Sequence, residues 1–227
     1  INAGSANSFI GAGISNDLTG PNSAIVGGDT NIINATTSNA GIFCGQSNTI
    51  NGLSSNSFTA GGNSNDITGN VSGIIAGNNN RITTTTSGAV IVGGDGCIVE
   101  DFGVSFGTRS VIAGGILNLI QSINCFVAGG STNEIELASD NSAIVAGTNN
   151  QIAGGAERSS VIGGFTNLIG ASDDSTIIAG RSHQMSGLTE ESAIIAGTTN
   201  SITASNNSAV IAGSSNTLDT CTTCVNF

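Results

Sequence analysis

Residues 192–202 read Ser192-Ala193-Ile194-Ile195-Ala196-Gly197-Thr198-Thr199-Asn200-Ser201-Ile202, and this eleven-residue pattern decides the fold. Internal repeats come before any other reading of a chain. Aligned on this stretch, thirteen copies appear, ending at Leu18, Ile33, Ile50, Ile67, Ile82, Ile98, Ile120, Ile135, Ile152, Ile169, Met185, Ile202 and Leu218. Position eleven is aliphatic or Met throughout. Position six aligns as Gly in every copy, from Gly13 and Gly28 through Gly93 and Gly115 to Gly197 and Gly213. Position nine is Asn in all copies but two, where Gly96 and His183 stand. Successive position-six glycines lie 15 to 17 residues apart, with one gap of 22 between Gly93 and Gly115.

A unit this short is below the roughly 33 residues of a helix-pair repeat. Its Gly, Asn, Ser, Thr and β-branched content also disfavours helix. A short β-branched run bounded by Gly and Asn reads as a strand and a turn, and the piece around position eleven as a second strand. One unit is then one coil of a parallel β-solenoid, or β-roll, of about 13 coils stacked at about 4.8 Å. The expected fold class is all-β, with residues 1–218 repetitive and 219–227 a cap or tail. Position six needs Gly because a sharp turn calls for positive φ. Asn at position nine suits the left-handed region and bonds nearby backbone. Stacking would align these amides into a ladder. His183 is expected to fill the same turn slot.

Strand alternation sorts the remaining positions. Positions three and five are expected to face the coil interior, which makes Cys44, at position five, a buried thiol. Position four is apolar as well: Val26, Phe43, Ile75, Ile91, Val145, Ile162, Ile178, Ile195 and Ile211. A strand apolar on both faces is normally covered on both, and a thin solenoid has one interior. The outward row therefore predicts self-association, with a side-by-side trimer as the closed cyclic form.

Stretches such as Asn141-Ser142-Ala143-Ile144-Val145-Ala146-Gly147 and Ser208-Ala209-Val210-Ile211-Ala212-Gly213 resemble the head repeats of YadA-like trimeric autotransporter adhesins. The resemblance runs from about Ser8 to Leu218. It implies a left-handed parallel β-roll that trimerises and an adhesin head displayed on a cell surface. The unit is longer than is usual in that family and its Asn-x-Ile half is stronger. No anchor, stalk or neck is expected within residues 1–227. Such repeats also resemble viral and phage fibres, which extends the expected location to a virion surface.

Function is sought where the repeat breaks. Val99-Glu100-Asp101-Phe102-Gly103-Val104-Ser105-Phe106-Gly107-Thr108-Arg109 forms an insert. Glu100, Asp101, Phe102, Phe106 and Arg109 make it a candidate ligand-binding loop. The competing reading is an irregular extra coil whose Phe side chains enter the core. Asp173 and Asp174, with Arg158 and Arg181 in neighbouring coils, are candidates for surface ion pairs.

The chain has 227 residues, 34 of them Gly, with no Lys, Trp or Tyr. Charged residues make up 8%, against a usual figure of about 25%, and the formal net charge is -11. Nucleic acid and anionic membranes need clustered positive charge, so neither is an expected partner. No apolar run approaches the roughly 20 residues that span a bilayer, and no signal peptide is visible. The chain begins at Ile, as a processed chain or fragment would.

With one His, no Lys and no Tyr, general bases are scarce, and no enzyme is expected. Glu190-Glu191 point opposite ways on a strand, whereas Glu134 and Glu136 could share a face. Gly93-Gly94-Asp95-Gly96 is a single partial echo of the calcium-binding nonapeptide, and Thr83-Thr84-Thr85-Thr86 an isolated run that falls short of an ice-binding array. Neither metal nor cofactor is expected. Cys221-Thr-Thr-Cys224 lacks further zinc ligands and reads as a terminal disulfide or as two reduced thiols. The expected partners are copies of the same chain and a host glycan or surface protein, met through multivalent contact in an extracellular setting. The alternative is a structural fibre or spacer with no ligand, ahead of an ice-binding or polysaccharide-degrading β-helix.

Overall fold

The structure, a computed structural model, describes residues 1, 5–52, 54–83, 87–100 and 109–227. The described residues form a parallel β-solenoid without helices. Each repeat contributes a leading strand of two residues, such as Ala193–Ile194, and a trailing strand of two or three, such as Ser201–Thr203. Leading strands pair only with leading strands and trailing only with trailing, always in parallel and in register, as in Ile177↔Ile194 and Met185↔Ile202. Two compact units divide the chain, Ile1–Leu117 and Asn118–Phe227. In the first, leading strands run from Phe9–Ile10 to Val111–Ile112 and trailing strands from Asp17–Leu18 to Ile98–Val99. In the second, they run from Phe126–Val127 to Val225–Asn226 and from Leu119–Ile120 to Thr217–Asp219. Val225 pairs with Ala209, so the segment taken as a cap starts another coil.

The interior is two-toned. Positions three and eleven supply its apolar part, with Ile25, Ile33, Ile42, Ile50, Ile144, Ile152, Ile194 and Ile202 fully buried. Burying side chains of this size stabilises by roughly 1.5–3 kcal/mol each. The polar part comes from Asn at position nine, Ser at position one, and a Ser or Thr three residues before position one. Buried polar groups persist only when bonded, and here the partner is the next coil. The backbone N–H of Asn31, Asn48, Asn65 and Asn80 each donates to the Oδ1 of the preceding Asn at 3.0–3.1 Å. The Nδ2 of Asn48 donates onward to the carbonyl of Gly62 at 3.0 Å. Side-chain amides also bond one another, as from Asn65 to Asn48 at 3.0 Å, so the expected ladder is present with the backbone built into it. A Ser ladder runs parallel: the N–H groups of Ser159 and Ser208 donate to the Oγ of Ser142 and Ser192 at 3.0 Å.

Two turns close each coil. At position six, Gly28 has φ +105°, and a Cβ there would stand 2.2 Å from the Gly45 oxygen and 2.5 Å from Asn31 Nδ2. Steric exclusion therefore adds to the dihedral requirement. Position eight adopts the left-handed region with ordinary side chains, including Thr30, Thr132, Thr166 and Thr199, a conformation that β-branched residues rarely take. The residue before position one does the same in Asn22, Asn39, Asn56, Asp174, Glu191 and Asn207.

Three expectations are corrected. The sixth copy is shifted by one residue: the glycine with φ +113° beside Gly115 is Gly94, not Gly93. Cys97, not Gly96, takes the Asn slot, its N–H donating to Asn80 Oδ1 at 3.0 Å, and Val99, not Ile98, pairs with Ile82. Ile91 is consequently a core residue, fully buried, and Val92 occupies the outward position. Position five does not face inward, because the chain has begun its turn, and Cys44 is exposed. The buried thiols are Cys97 and Cys125.

Candidate interaction surface

The outer face of the leading-strand sheet is built from positions two and four. Val26, Phe43, Ile75, Val145, Ile162, Ile178 and Ile195 are all exposed there, between 37% and 55%, while Ile211 is half-buried. Bulk at the two positions is complementary in most coils, Val90/Val92 being an exception. Where position four is large, position two is small, as in Ala24/Val26, Gly41/Phe43, Ala143/Val145 and Ala193/Ile195. Where position two is Phe, position four is small, as in Phe9/Gly11, Phe58/Ala60 and Phe126/Ala128. A Cβ on Gly73 would lie 2.6 Å from the Phe58 ring, so one coil's aromatic requires the next coil's glycine. No charged residue occupies either position in any repeat. In the first unit, Phe43 and Phe58 flank a shallow hollow of about 550 Å³ floored by Ala24 and Gly41 and edged by Asn22 and Asn39.

The outer face of the trailing-strand sheet is different. Its positions ten and twelve carry Asp17, Asp66, Arg81, Glu100, Glu134, Glu136 and Asp219. Arg81 pairs with Glu100 at 3.3 Å. Glu134 and Glu136 do share a face, and Gln151 Nε2 donates to both, at 3.3 and 2.5 Å. Burial, then the Glu136 charge, pushes the Glu134 carboxyl above its usual range. These carboxylates are held by a neutral amide.

Neither a protein-family model nor a curated protein matches the sequence of this chain.

The other candidate residues distribute as follows. Asp101, Phe102 and Phe106 lie outside the described residues. Of their flanks, Glu100 belongs to the trailing-strand face. Arg109 adopts φ 39° and donates its N–H to the Ser87 carbonyl at 3.2 Å. Arg158 gathers Glu157, Asp173 and Asp174 in one turn cluster, with its Nε 2.7 Å from Asp174 Oδ1. That bond holds the Asp174 carboxyl below its usual value. Exposed pairs of this kind contribute about 0–1 kcal/mol. Arg181 takes no part, because its guanidinium lies over the Phe165 ring at 5.4 Å. Cys221 and Cys224 are joined as a disulfide. Their N–H groups donate to Ser205 and Ser208 Oγ at 3.0 and 3.1 Å, so the pair spans both Ser columns. Among the described residues no group of three or more His, Cys, Asp or Glu side chains could hold a metal ion. Among the described residues no helix is long and apolar enough to cross a membrane.

Proposed function

We propose that this chain is a non-enzymatic, surface-displayed fibre or adhesin head of the kind found in YadA-like trimeric autotransporters and in viral fibres. It self-associates side by side, as a trimer, in an extracellular or virion-surface setting, and needs no cofactor. The observation that supports this reading is the uncharged apolar outer face of the leading-strand sheet. Contiguous exposed apolar surface beyond a few hundred Å² marks an interaction site in soluble proteins. Burying positions two and four between copies leaves the polar turns and the acidic trailing-strand face outward. Three copies of a weak site for a host glycan or surface protein then act together, since linked sites gain avidity without new contacts. The net charge of -11 per chain keeps assemblies apart from one another and from nucleic acid and anionic membranes.

Sedimentation equilibrium tests the assembly, with a species near three times 22.2 kDa expected. A stable monomer at micromolar concentration overturns it. A glycan and host-surface binding array on the assembled protein tests the adhesin role. Its failure, with the trimer intact, leaves a structural spacer.

A further inference from the structure

The Asn column of the second unit is interrupted once, at His183, and the substitution is close to isosteric. His183 is 1% exposed. Its backbone N–H donates to Asn167 Oδ1 at 3.0 Å, as an Asn in that place would. Its Nδ1 accepts the backbone N–H of Asn200 at 3.1 Å, the role Oδ1 plays elsewhere in the column. An Nδ1 that accepts leaves the proton of the neutral ring on Nε2. There the match with Asn ends. Asn200 Nδ2 bonds the carbonyls of Ala196 and Gly213 at 3.0 and 3.2 Å, whereas His183 Nε2 is buried beside the equivalent Ala179 and Gly197 backbone without a well-formed hydrogen bond. An amide oxygen accepts at any ordinary pH. An imidazole nitrogen accepts only while unprotonated.

No charged side chain faces the ring, and its polar surroundings are backbone groups of Asn200, Ala179 and Gly197, which offset its desolvation only in part. The strands packed around the ring are Leu168–Gly170, Gln184–Ser186, Ser201–Thr203, Thr176–Ile177 and Ala193–Ile194. None carries an acidic or basic side chain. The nearest charge along the chain is another cation, Arg181, two residues earlier and turned over Phe165. The acids of this region, Asp173, Asp174, Glu190 and Glu191, sit at the other turn of their coils.

We propose that His183 is an acid-sensitive joint in the solenoid. Protonation places a second donor against the Asn200 N–H, removes that rung, and opens the stack locally between the coils of His183 and Asn200. Desolvation by burial holds the ring below its ordinary value of 6.5 in the closed stack. An opened coil returns it to that value, so below pH 6.5 the open state binds more protons. Closure is then weakened progressively as pH falls from 6.5 towards the lowered folded value.

Amide hydrogen exchange on the intact protein, read by NMR from pH 7.5 to 4.5, tests this. After correction for intrinsic rates, Asn200 should lose protection as pH falls from 6.5 towards the lowered folded value, by at most about tenfold per pH unit, and level off below it. Asn167, whose N–H is received by Asn150 Oδ1, should keep its protection and so serves as an internal control. His183→Asn restores the residue of the column and should abolish the pH dependence at Asn200. Ring ¹⁵N shifts of the unsubstituted protein at pH 7 should show Nδ1 unprotonated. Parallel pH profiles at Asn200 and Asn167, an unchanged dependence in His183→Asn, or a protonated Nδ1 at pH 7 would each overturn the proposal.

Discussion

Asn167 donates its backbone N–H to Asn150 Oδ1 at 3.0 Å, while Asn150 Nδ2 donates to the carbonyl of Gly164 in the same following coil at 3.1 Å. One buried side chain thus supplies an acceptor and a donor to its neighbour's backbone. Asn150→Ala strands the buried N–H of Asn167, while the Gly164 carbonyl keeps the Thr148 N–H at 3.0 Å. An unmade bond of this kind costs about 1–3 kcal/mol, so urea unfolding should show a loss of about that size. A loss under 1 kcal/mol would mean that water replaces the amide.

Adjacent glycines separate sterics from composition. A Cβ on Gly164 would meet the Gly180 oxygen at 2.2 Å and Asn167 Nδ2 at 2.5 Å, with φ +99°. A Cβ on Gly163 meets nothing within 4 Å. Gly164→Ala should lower stability by more than about 2 kcal/mol or prevent folding, while Gly163→Ala should stay within about 0.5 kcal/mol. Thermal melts of the two variants provide the comparison.

Ile162 and Ile178 stand on successive coils of the apolar face, 44% and 38% exposed. Replacing both with Lys leaves the coil interior untouched. Circular dichroism should be unchanged while sedimentation shifts to monomer. Assembly that survives with its mass unaltered places the interface elsewhere.

Thiol reactivity should follow burial. Cys44 is exposed, whereas burial pushes the Cys125 thiol up to about 11. Thiolate is the reactive form, so iodoacetamide at pH 7.5 should label Cys44 in the native protein and spare Cys97 and Cys125. Equal labelling of all three in peptide mass maps would contradict the buried placement.

Much of this architecture was legible because each column of the repeat has one physical cause. Gly at position six, Asn at nine and Ile at eleven fixed the coil, its two strands and the amide ladder. The sixth copy misled for an equally physical reason. Gly93-Gly94 offers two candidates for one turn, and the marker that would decide between them, Asn at position nine, is replaced by Cys97. The sulfur of Cys97 lies 3.6 Å from the Gly115 carbonyl, near the place an Asn Nδ2 takes. Position five misled because strict alternation was carried one residue past the end of a two-residue strand. The bulk compensation between positions two and four was present in the sequence, but it emerges only once both are known to share a face. Nothing in the pattern announced that His183 would have an acceptor nitrogen on one side and an unbonded one on the other.

The interior bonds have a direction. Asn16 and Asn31 Oδ1, and Ser142 and Ser192 Oγ, each receive an amide from the coil that follows in sequence. Each finished turn is therefore a template for the next, and the cross-section it offers barely changes from one coil to another. Insertions and deletions that respect this arrangement come in quanta of one whole coil. Excising a full repeat brings an Asn, a Gly and two aliphatic side chains onto an equivalent set. Removing half a repeat would set leading strand against trailing strand and Ser against Ile. Within each unit the coil is in this sense a counted quantity, free to vary in whole numbers.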